Sequence, residues 1–530
     1  MKARRFLAIV LAAALLLLAL GAAAWWVVLD RSPLRLQHSP LAVPAAARFV
    51  SRQAPLNLFL FTDGEQPLAY ARAIAPPPQR HAATEALAQL RDGAFAAAGL
   101  DYSTEIRSWL GPEIGLTLVA TGDGSRPDGW LLSLRSRDAD GARRFLQRFW
   151  QTRSLAGTDL QITSYRGMGL ISGRGALVGR DVVPIATALI NDNLVLIASG
   201  RGVLEQALDV SQIDELNLAA SDSFRAGIDS LAEGVALLTA RPSAMADWLG
   251  IPPATVEAAG VGGLMAALRP DRAGLALEAS FPLAAGVEPG DWTVAPQAAS
   301  QAGSLLSGLR GEVDSLALLQ NPAAMPPFLQ PLLARALAPI ASPLPALLLG
   351  GDAGPLLWAQ DQQGWLLGTA GSAPAPAALE AALAVDGLIG APLELADGEP
   401  VRVWAHLSAG AARRGRTEAG QLQAELAGAR SSQGELAWWS QDLQRLEQQH
   451  AGRQGPRQQL AQLVALDRAE AGLQWAAGRP QAQALLRRWS SWRLLSGLAG
   501  EPLADRAAGL AVALTPDAAG YRLSARLDLA

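Results

Sequence analysis

Cysteine is absent from this chain of 530 residues, and lysine occurs only once, at Lys2. The lack of cysteine excludes disulfides, thiolate zinc sites, iron–sulfur clusters and cysteine nucleophiles. Without a lysine beyond Lys2, Schiff-base chemistry and a phosphate-loop lysine are excluded as well. The net charge is −4, so there is no basic surplus to attract nucleic-acid phosphates, and we expect no nucleic-acid partner.

Recognisable catalytic and ligand-binding motifs are also missing. The four histidines lie more than forty residues apart, and none has metal-ligand spacing. No GxSxG elbow, no GxGxxG fingerprint and no phosphate loop occurs. The sequence therefore predicts no catalytic residue, no metal site and no cofactor.

The N-terminus carries a long apolar run. Phe6–Leu29 has 24 residues without a charge, and about 20 suffice to span a bilayer as a helix. Lys2, Arg4 and Arg5 precede it, which favours a cytoplasmic N-terminus. We expect an uncleaved anchor over residues 1–30, with the bulk of the chain outside the cytoplasm. The alternative is a signal peptide cleaved near residues 22–24, because small residues follow a shorter apolar core there.

The pattern GLxxALxPDxAGxxLxAxxxL occurs twice, at Gly263–Leu283 and at Gly509–Leu529. Eleven of its 21 positions are identical without gaps. Apolar residues alternate on both sides of Pro-Asp-x-Ala-Gly, which predicts a β-hairpin with one buried and one exposed face. Three weaker landmarks recur in the same order, which indicates a tandem duplication. They are Gly129-Trp130-Leu131-Leu132 with Gly364-Trp365-Leu366-Leu367, Ser199 with Ser440, and Gly234 with Gly472.

Strand patterns alternate with helix patterns, and antiparallel hairpins are frequent. This mixture predicts an α+β fold: an N-terminal transmembrane helix and two tandem, duplicated α+β domains with antiparallel sheets. The predicted layout is an extended stem at 31–45, a first domain at 46–284, a linker at 285–300 and a second domain at 301–530. Near 408–460 the second domain is charged and Gln-rich. There we predict surface helices, including Gly420–Ala427 and Leu443–His450, as a solvated elaboration or a partner-binding arm.

Tryptophan is abundant, with 15 residues against 4 tyrosines. Adjacent residues on a strand point to opposite faces, so a partner-binding role for Trp438 and Trp439 would require one of them to be exposed. Trp489 and Trp492 lie three residues apart beside two arginines, as on an interfacial or partner-binding face. These four tryptophans are the candidate partner-binding residues, but packing in the core is the favoured interpretation for them.

Several short motifs support a family resemblance. They are Ser32-Pro33-Leu34 after the apolar run, Ala54-Pro55, Leu100-Asp101-Tyr102, and the WLGPE motif Trp109–Glu113. With them the chain resembles an uncharacterised cyanobacterial family of membrane-anchored proteins, a domain of unknown function. The resemblance implies a periplasmic or thylakoid-lumen setting and brings no activity, cofactor or site residue.

Three functions remain open on the sequence alone. The first is a non-enzymatic binding, scaffold or assembly factor, held at the membrane by Phe6–Leu29 and meeting a protein partner there. The second is a carrier of an apolar ligand, a lipid or a pigment, between the two domains. The third is a hydrolase with no recognisable motif.

Overall fold

The computed structural model describes residues 32–529 except for seven segments and seven single positions. The segments are 121–127, 179–180, 330–343, 345–353, 371–375, 396–397 and 410–421, and the positions are 248, 273, 289, 291, 323, 363 and 453. The predicted anchor Phe6–Leu29 lies outside the described residues. Within them, no helix is both long enough and apolar enough to cross a membrane.

The described strands form one antiparallel sheet, so the fold is α+β, as the frequent hairpins predicted. The strands are β1 Leu56–Leu60, β2 Leu110–Val119, β3 Gly129–Ser136, β4 Asp159–Tyr165, β5 Met168–Val178, β6 Asp181–Ile190, β7 Leu194–Ala198, β8 Ala236–Ala240, β9 Leu264–Asp271, β10 Gly274–Pro282, β11 Ser315–Leu319, β12 Leu356–Gln360, β13 Trp365–Ala370, β14 Leu388–Glu394, β15 Pro400–Ala409, β16 Leu422–Gln433, β17 Leu436–Ser440, β18 Leu473–Gly478, β19 Ala507–Asp517 and β20 Gly520–Leu529.

The order of the strands across the sheet reads alike from both ends. It is β4-β5-β6-β7-β3-β2-β1-β8-β9-β10 and then β20-β19-β18-β11-β12-β13-β17-β16-β15-β14. The first half comprises β1–β10, residues 56–282. Each of its strands lies as far from one end of the sheet as the strand numbered ten higher lies from the other end, as β4 and β14 do. The centre of this order is the pairing of β10 with β20.

Helices connect equivalent strands in the two halves. Among the residues that the structure describes, one α-helix lies between β3 and β4 and one between β13 and β14. Two lie between β7 and β8, two between β8 and β9, and the same numbers recur between β17 and β18 and between β18 and β19. The α-helices are α1 Gln66–Ile74, α2 Arg80–Ala97, α3 Ala139–Leu155, α4 Arg201–Val210, α5 Asp222–Leu231, α6 Pro242–Asp247, α7 Pro253–Ala258, α8 Pro296–Gly308, α9 Pro376–Val385, α10 Leu443–Ala451, α11 Arg457–Leu466, α12 Arg479–Arg488 and α13 Ser490–Ala499.

Shorter helical turns join these elements. The 3₁₀ turns are Pro33–His38, called the stem helix below, and Ala45–Phe49, Pro77–Gln79, Leu218–Ala220, Pro327–Leu329 and Leu503–Arg506, with a π-turn at Tyr102–Ile106. Local signals account for several starts. Asp138 caps α3 by accepting a hydrogen bond from the Asp140 amide.

The register of the central pairing is symmetric. Glu278 of β10 lies directly opposite Ser524 of β20, and Ser524 is the residue 246 positions later, the spacing of the repeated hairpin. An approximate two-fold axis therefore passes between these two residues. The pairing is isologous, since each half presents the same strand to the other.

A glycine at the start of β10 and of β20 lets the two strands approach. A Cβ atom on Gly274 would lie far inside contact distance of the Leu527 carbonyl oxygen, and one on Gly520 would do the same at Phe281. The two contacts are related by the two-fold axis, because Leu527 follows Phe281 by 246 residues. Gly520 also has a φ of 150°. The repeated motif thus keeps its glycine for close approach between the halves as well as for the turn.

Helices cover both faces of the sheet. Leu132 of β3 packs with Phe145 of α3 on one face, and its neighbour Leu131 packs with Leu204 of α4 on the other. The first closing hairpin follows the same rule. Leu264, Ala266 and Ala279 of its apolar face are buried, and Ala267 on the opposite face is also buried, in a second core. The prediction of an exposed face is wrong there, because helices pack on both sides.

The charged stretch near 408–460 differs from the prediction. Gly420–Ala427 was expected to be helical, but Leu422–Gln433 forms β16, hydrogen-bonded to β15 and β17. Residues between 422 and 430 pair with β15 and residues 429–433 pair with β17, and this pairing overrides the helix propensity of the segment. The helix predicted at Leu443–His450 is present as α10.

Helix α10 is not a solvated surface helix, however. Arg445 is 1% exposed and pairs with Asp361 at 2.9 Å. Gln449 is fully buried: it accepts from the Arg310 amide and donates to the Gly308 carbonyl. The polar side chains of this stretch thus bind the connection from α8 to β11, because buried backbone groups there need partners.

Replacing Gly274 by Ala is expected to lower stability by about 1–3 kcal/mol, because the added methyl group would force β10 and β20 apart. Gly520→Ala should act in the same direction. Thermal unfolding of the purified chain measures the effect. Gly303→Ala in α8 is the control, since nothing lies within 4 Å of its Cβ position and alanine suits a helix. Equal unfolding midpoints for Gly274→Ala and Gly303→Ala would contradict this account of the junction.

Candidate functional site

The first tryptophan pair, Trp438 and Trp439, lies in β17. Both side chains are buried, at 0% and 2% exposure. They do point to opposite faces: Trp438 packs in the core with Leu305 of α8, and Trp439 packs in the core with Leu379 of α9. Both faces of β17 are covered, so neither indole is exposed, in keeping with packing in the core. Neither indole is accessible to a partner at the surface.

The second pair, Trp489 and Trp492, lies where the two halves meet on one face of the sheet. The two indoles stack with centroids 6.4 Å apart and an interplanar angle of 16°. Trp489 Nε1 donates to the Leu249 carbonyl of the first half at 2.6 Å, and 40% of the residue remains exposed. The face predicted to bind a partner therefore contacts the other half of the same chain.

Helix α13, which contains Trp492, packs against α2 of the first half. The contact is close, since a Cβ atom on Gly93 of α2 would overlap the Leu498 backbone. On the mirrored side of the junction, α7 of the first half packs near Pro327–Leu329 of the second. Each half thus contributes a helix to the surface of the other, in addition to the shared sheet.

The WLGPE motif has a structural role. Trp109 is 1% exposed and donates through Nε1 to the Glu105 carbonyl at 2.7 Å. Glu113 is buried, accepts from the Ala46 amide at 3.1 Å and pairs with Arg135 at 3.2 Å. The carboxylate therefore ties the segment before β1 to β3. In the sequence this motif indicated only a family resemblance.

The serine landmarks also meet the Gly-Trp-Leu-Leu landmarks in space. Ser199 Oγ accepts from the Trp130 amide at 2.9 Å, and Ser440 Oγ donates to the Trp365 carbonyl at 2.8 Å. Ser199 directly follows β7, which pairs with β3, and Ser440 is the last residue of β17, which pairs with β13. These recurring residues hold equivalent strand ends together.

A polar cluster around Glu65 was not anticipated from the sequence. Its carboxylate accepts from Tyr102 Oη at 3.2 Å and pairs with Arg91 at 2.8 Å and Arg107 at 3.3 Å. The Arg91 guanidinium also lies over the Tyr102 ring, 4.0 Å from its centroid. Burial, and then the charge and hydrogen bond of Glu65, raise the pKa of Tyr102 to about 12. The only sequence signal was the Leu100-Asp101-Tyr102 motif.

Beside this cluster an open groove runs between the stem helix, α1 and α2. Its volume is about 600 Å³, and it is lined by Pro33, Glu65, Leu68, Ala69, Arg72, Ala73, Arg80 and Thr84. Arg72 and Arg80 are exposed. The groove combines small apolar side chains with two cations. Among the described residues, no group of three or more histidines and carboxylates is arranged to hold a metal ion.

A family profile described as "Protein of unknown function (DUF3352)" matches residues 10–325, more than half of the chain. The chain belongs to this family. No curated protein matches the sequence. Membership agrees with the resemblance to a domain of unknown function and assigns no activity.

Among solved structures, the chain is similar to three crystal forms of a protein designated TP0453. Form I has a TM-score of 0.27 and 11% identity and covers 46% of this chain and 81% of that chain. Form III has a TM-score of 0.26 and 11% identity over 51% and 89%, and form IV has 0.25 and 10% over 46% and 81%. Similarity this weak does not bear on function.

Replacing Trp489 by Phe is expected to cost about 0.5–1.5 kcal/mol, because the hydrogen bond to Leu249 between the halves is lost while the ring stacking is retained. Denaturant unfolding measures the loss. Leu494→Ala on the same helix is the control, since Leu494 is 58% exposed. If both variants unfold at the denaturant concentration of the unaltered chain, the contact does not stabilise the junction.

Stability should fall as the pH rises from about 10 towards 12, in part through Tyr102. The folded chain holds the phenol protonated with a pKa of about 12, whereas the unfolded chain releases the proton near 10.0. This contribution is complete below pH 10 and is lost as the pH approaches the folded pKa. In Tyr102→Phe the decline in unfolding temperature between pH 9 and pH 11.5 should be shallower, and an unchanged decline would refute the assignment.

Proposed function

We propose that the chain is a single-pass membrane protein whose bulk lies outside the cytoplasm, in the periplasm or thylakoid lumen of a cyanobacterium. It acts there as a non-enzymatic binding, scaffold or assembly factor. The charge-free run Phe6–Leu29 and the preceding Lys2, Arg4 and Arg5 support the anchor and its orientation.

The two halves are proposed to be tandem copies of one α+β unit. The mirrored strand order supports this, as does the alignment of Glu278 with Ser524 at the spacing of the repeated hairpin. The proposed units remain 46–284 and 301–530. The linker at 285–300 overlaps the start of α8, which begins at Pro296.

The observation that carries the scaffold proposal is the likeness of the two far ends of the sheet. Leu155 ends α3 and is 83% exposed, and Val385 ends α9 and is 87% exposed. Each is followed two residues later by a glycine with positive φ, Gly157 or Gly387. These leucine and valine side chains occupy equivalent positions at opposite ends of one continuous sheet.

The edge strands beside these residues add further apolar surface. Ile162 of β4 is 78% exposed, and Ile389 and Leu393 of β14 are 56% and 43% exposed. Exposed apolar side chains grouped at a sheet edge are typical of interaction sites. Two such ends, held at a fixed separation by hydrogen-bonded strands, suit a protein that positions partners.

The carrier and hydrolase alternatives receive less support. On one face of the junction, side chains of both halves fill the space between the described elements. Phe281 and Leu283 pack there with Tyr521 and Leu523, and Leu275 packs with Leu510 and Leu527. A ligand between the halves would have to displace these contacts, which counts against an apolar cavity or a deep polar pocket at this place.

Photo-crosslinking in native membranes tests the scaffold proposal. A photoreactive amino acid replaces Leu155 in one chain and Val385 in another, and the control replaces Asp222, whose side chain is fully exposed. Reproducible adducts of defined mass are expected at both apolar positions and not at 222. If the adducts at all three positions were indistinguishable, the ends would not be interaction surfaces and the proposal would fail.

A further inference from the structure

The described chain begins with an element that is bound to the first half. Ser32 Oγ accepts from the Leu34 amide and caps the stem helix. Gln37 Nε2 donates to Tyr70 Oη of α1 at 2.8 Å, and Tyr70 Oη donates to the Arg272 carbonyl at 2.9 Å. The Leu41 amide then donates to the Ala232 carbonyl at 2.8 Å. The predicted extended stem is therefore packed against α1 and the β9–β10 turn.

This packing limits the distance between the first half and a membrane. Leu29 ends the proposed anchor, and Ser32 begins the stem helix only three residues later. Three extended residues span at most about 10 Å. A bilayer that contains Phe6–Leu29 therefore lies next to the stem helix and the groove beside it.

The chemistry of this surface suits a headgroup layer. Leu34 is 47% exposed on the stem helix, and Ala69 and Ala73 are exposed on α1. Arg72 and Arg80 line the same groove and are exposed to solvent. Small apolar side chains between arginines can enter the interface while the guanidinium groups remain at the phosphates.

The single carboxylate in the groove does not cancel these cations. Glu65 already pairs with Arg91 and Arg107 and accepts from Tyr102. Its negative charge is therefore balanced within the first half. The groove presents Arg72 and Arg80 as excess positive charge.

We infer that the face formed by the stem helix, α1 and the start of α2 lies on the bilayer surface, where Arg72 and Arg80 bind the phosphate groups of anionic phospholipids. This inference rests on the proposed anchor. It goes further, because it fixes which face of the first half is turned to the membrane and which lipid class that face recognises. The bound stem helix holds the first half in that orientation.

The test uses the full chain in lipid nanodiscs. Since the chain has no cysteine, Ala73→Cys carries a single fluorophore in the groove. Gln444→Cys is the matched control. Gln444 is exposed on α10, a helix of the second half that follows β17, and β17 lies eight strands away from β9 in the sheet. Lipids with a nitroxide on the headgroup quench a fluorophore that lies at the membrane surface. The discs contain either zwitterionic phosphatidylcholine alone or a mixture rich in anionic phosphatidylglycerol.

We expect strong quenching at position 73, little at position 444, and more quenching at 73 in the anionic discs. Two arginines near an anionic surface favour the docked orientation roughly 30-fold. The double variant Arg72→Glu with Arg80→Glu should therefore remove the effect of the anionic lipid. The control pair Arg457→Glu with Arg479→Glu has the same charge change at the starts of α11 and α12, and it should leave the effect in place.

Three negative results of this experiment would have different consequences. A chain that does not elute with the nanodiscs overturns the proposed anchor, and this inference with it. A retained chain that shows equal quenching at 73 and 444 overturns this inference alone. Quenching at 73 that is the same in both lipids, or that survives Arg72→Glu with Arg80→Glu, overturns the assigned role of the two arginines.

Discussion

The pairing of β10 with β20 is the interaction on which the arrangement of the whole chain depends. It joins ten strands of one half to ten of the other, and it removes the one edge in each half that the repeated hairpin would leave open. Its symmetric register puts Glu278 opposite Ser524, where Arg468 links them by contacting both side chains. Gly274 and Gly520 make this pairing possible, because the side chain of any larger residue there would overlap the backbone of the other half.

Once the halves share a sheet, their helices also meet. Helix α13 packs against α2, and the Trp489 N–H lies against the Leu249 carbonyl of the first half. The feature that suggested a partner-binding face is thus used within the chain. The surfaces that we propose for partner and membrane contact are the far ends of the sheet and the groove beside the stem helix. They lie in different parts of the fold, so membrane contact and partner contact need not compete.

Buried polar groups in the second half follow from the same packing. The stretch that contains α10 is charged and Gln-rich, as solvated helices are, yet Arg445 and Gln449 point inward and bind the ends of α8 and β11. Burial lowers the pKa of Arg445, and the nearby charge of Asp361 opposes that shift. These side chains take the place of water as hydrogen-bond partners for the backbone that connects α8 to β11. Composition alone does not distinguish such a buried polar segment from a solvated one.

The sequence by itself determined the α+β class, the closing hairpins and the helix at Leu443–His450, because these depend on periodicity and on turn residues. The positions of Trp438, Trp439 and Trp489, the strand at Leu422–Gln433 and the cluster around Glu65 were decided only by tertiary structure. The local sequence pattern of a strand does not show whether helices cover one of its faces or both. Residues hundreds of positions apart, such as Leu249 and Trp489, become neighbours only after β10 and β20 pair, and no local signal along the chain encodes that contact.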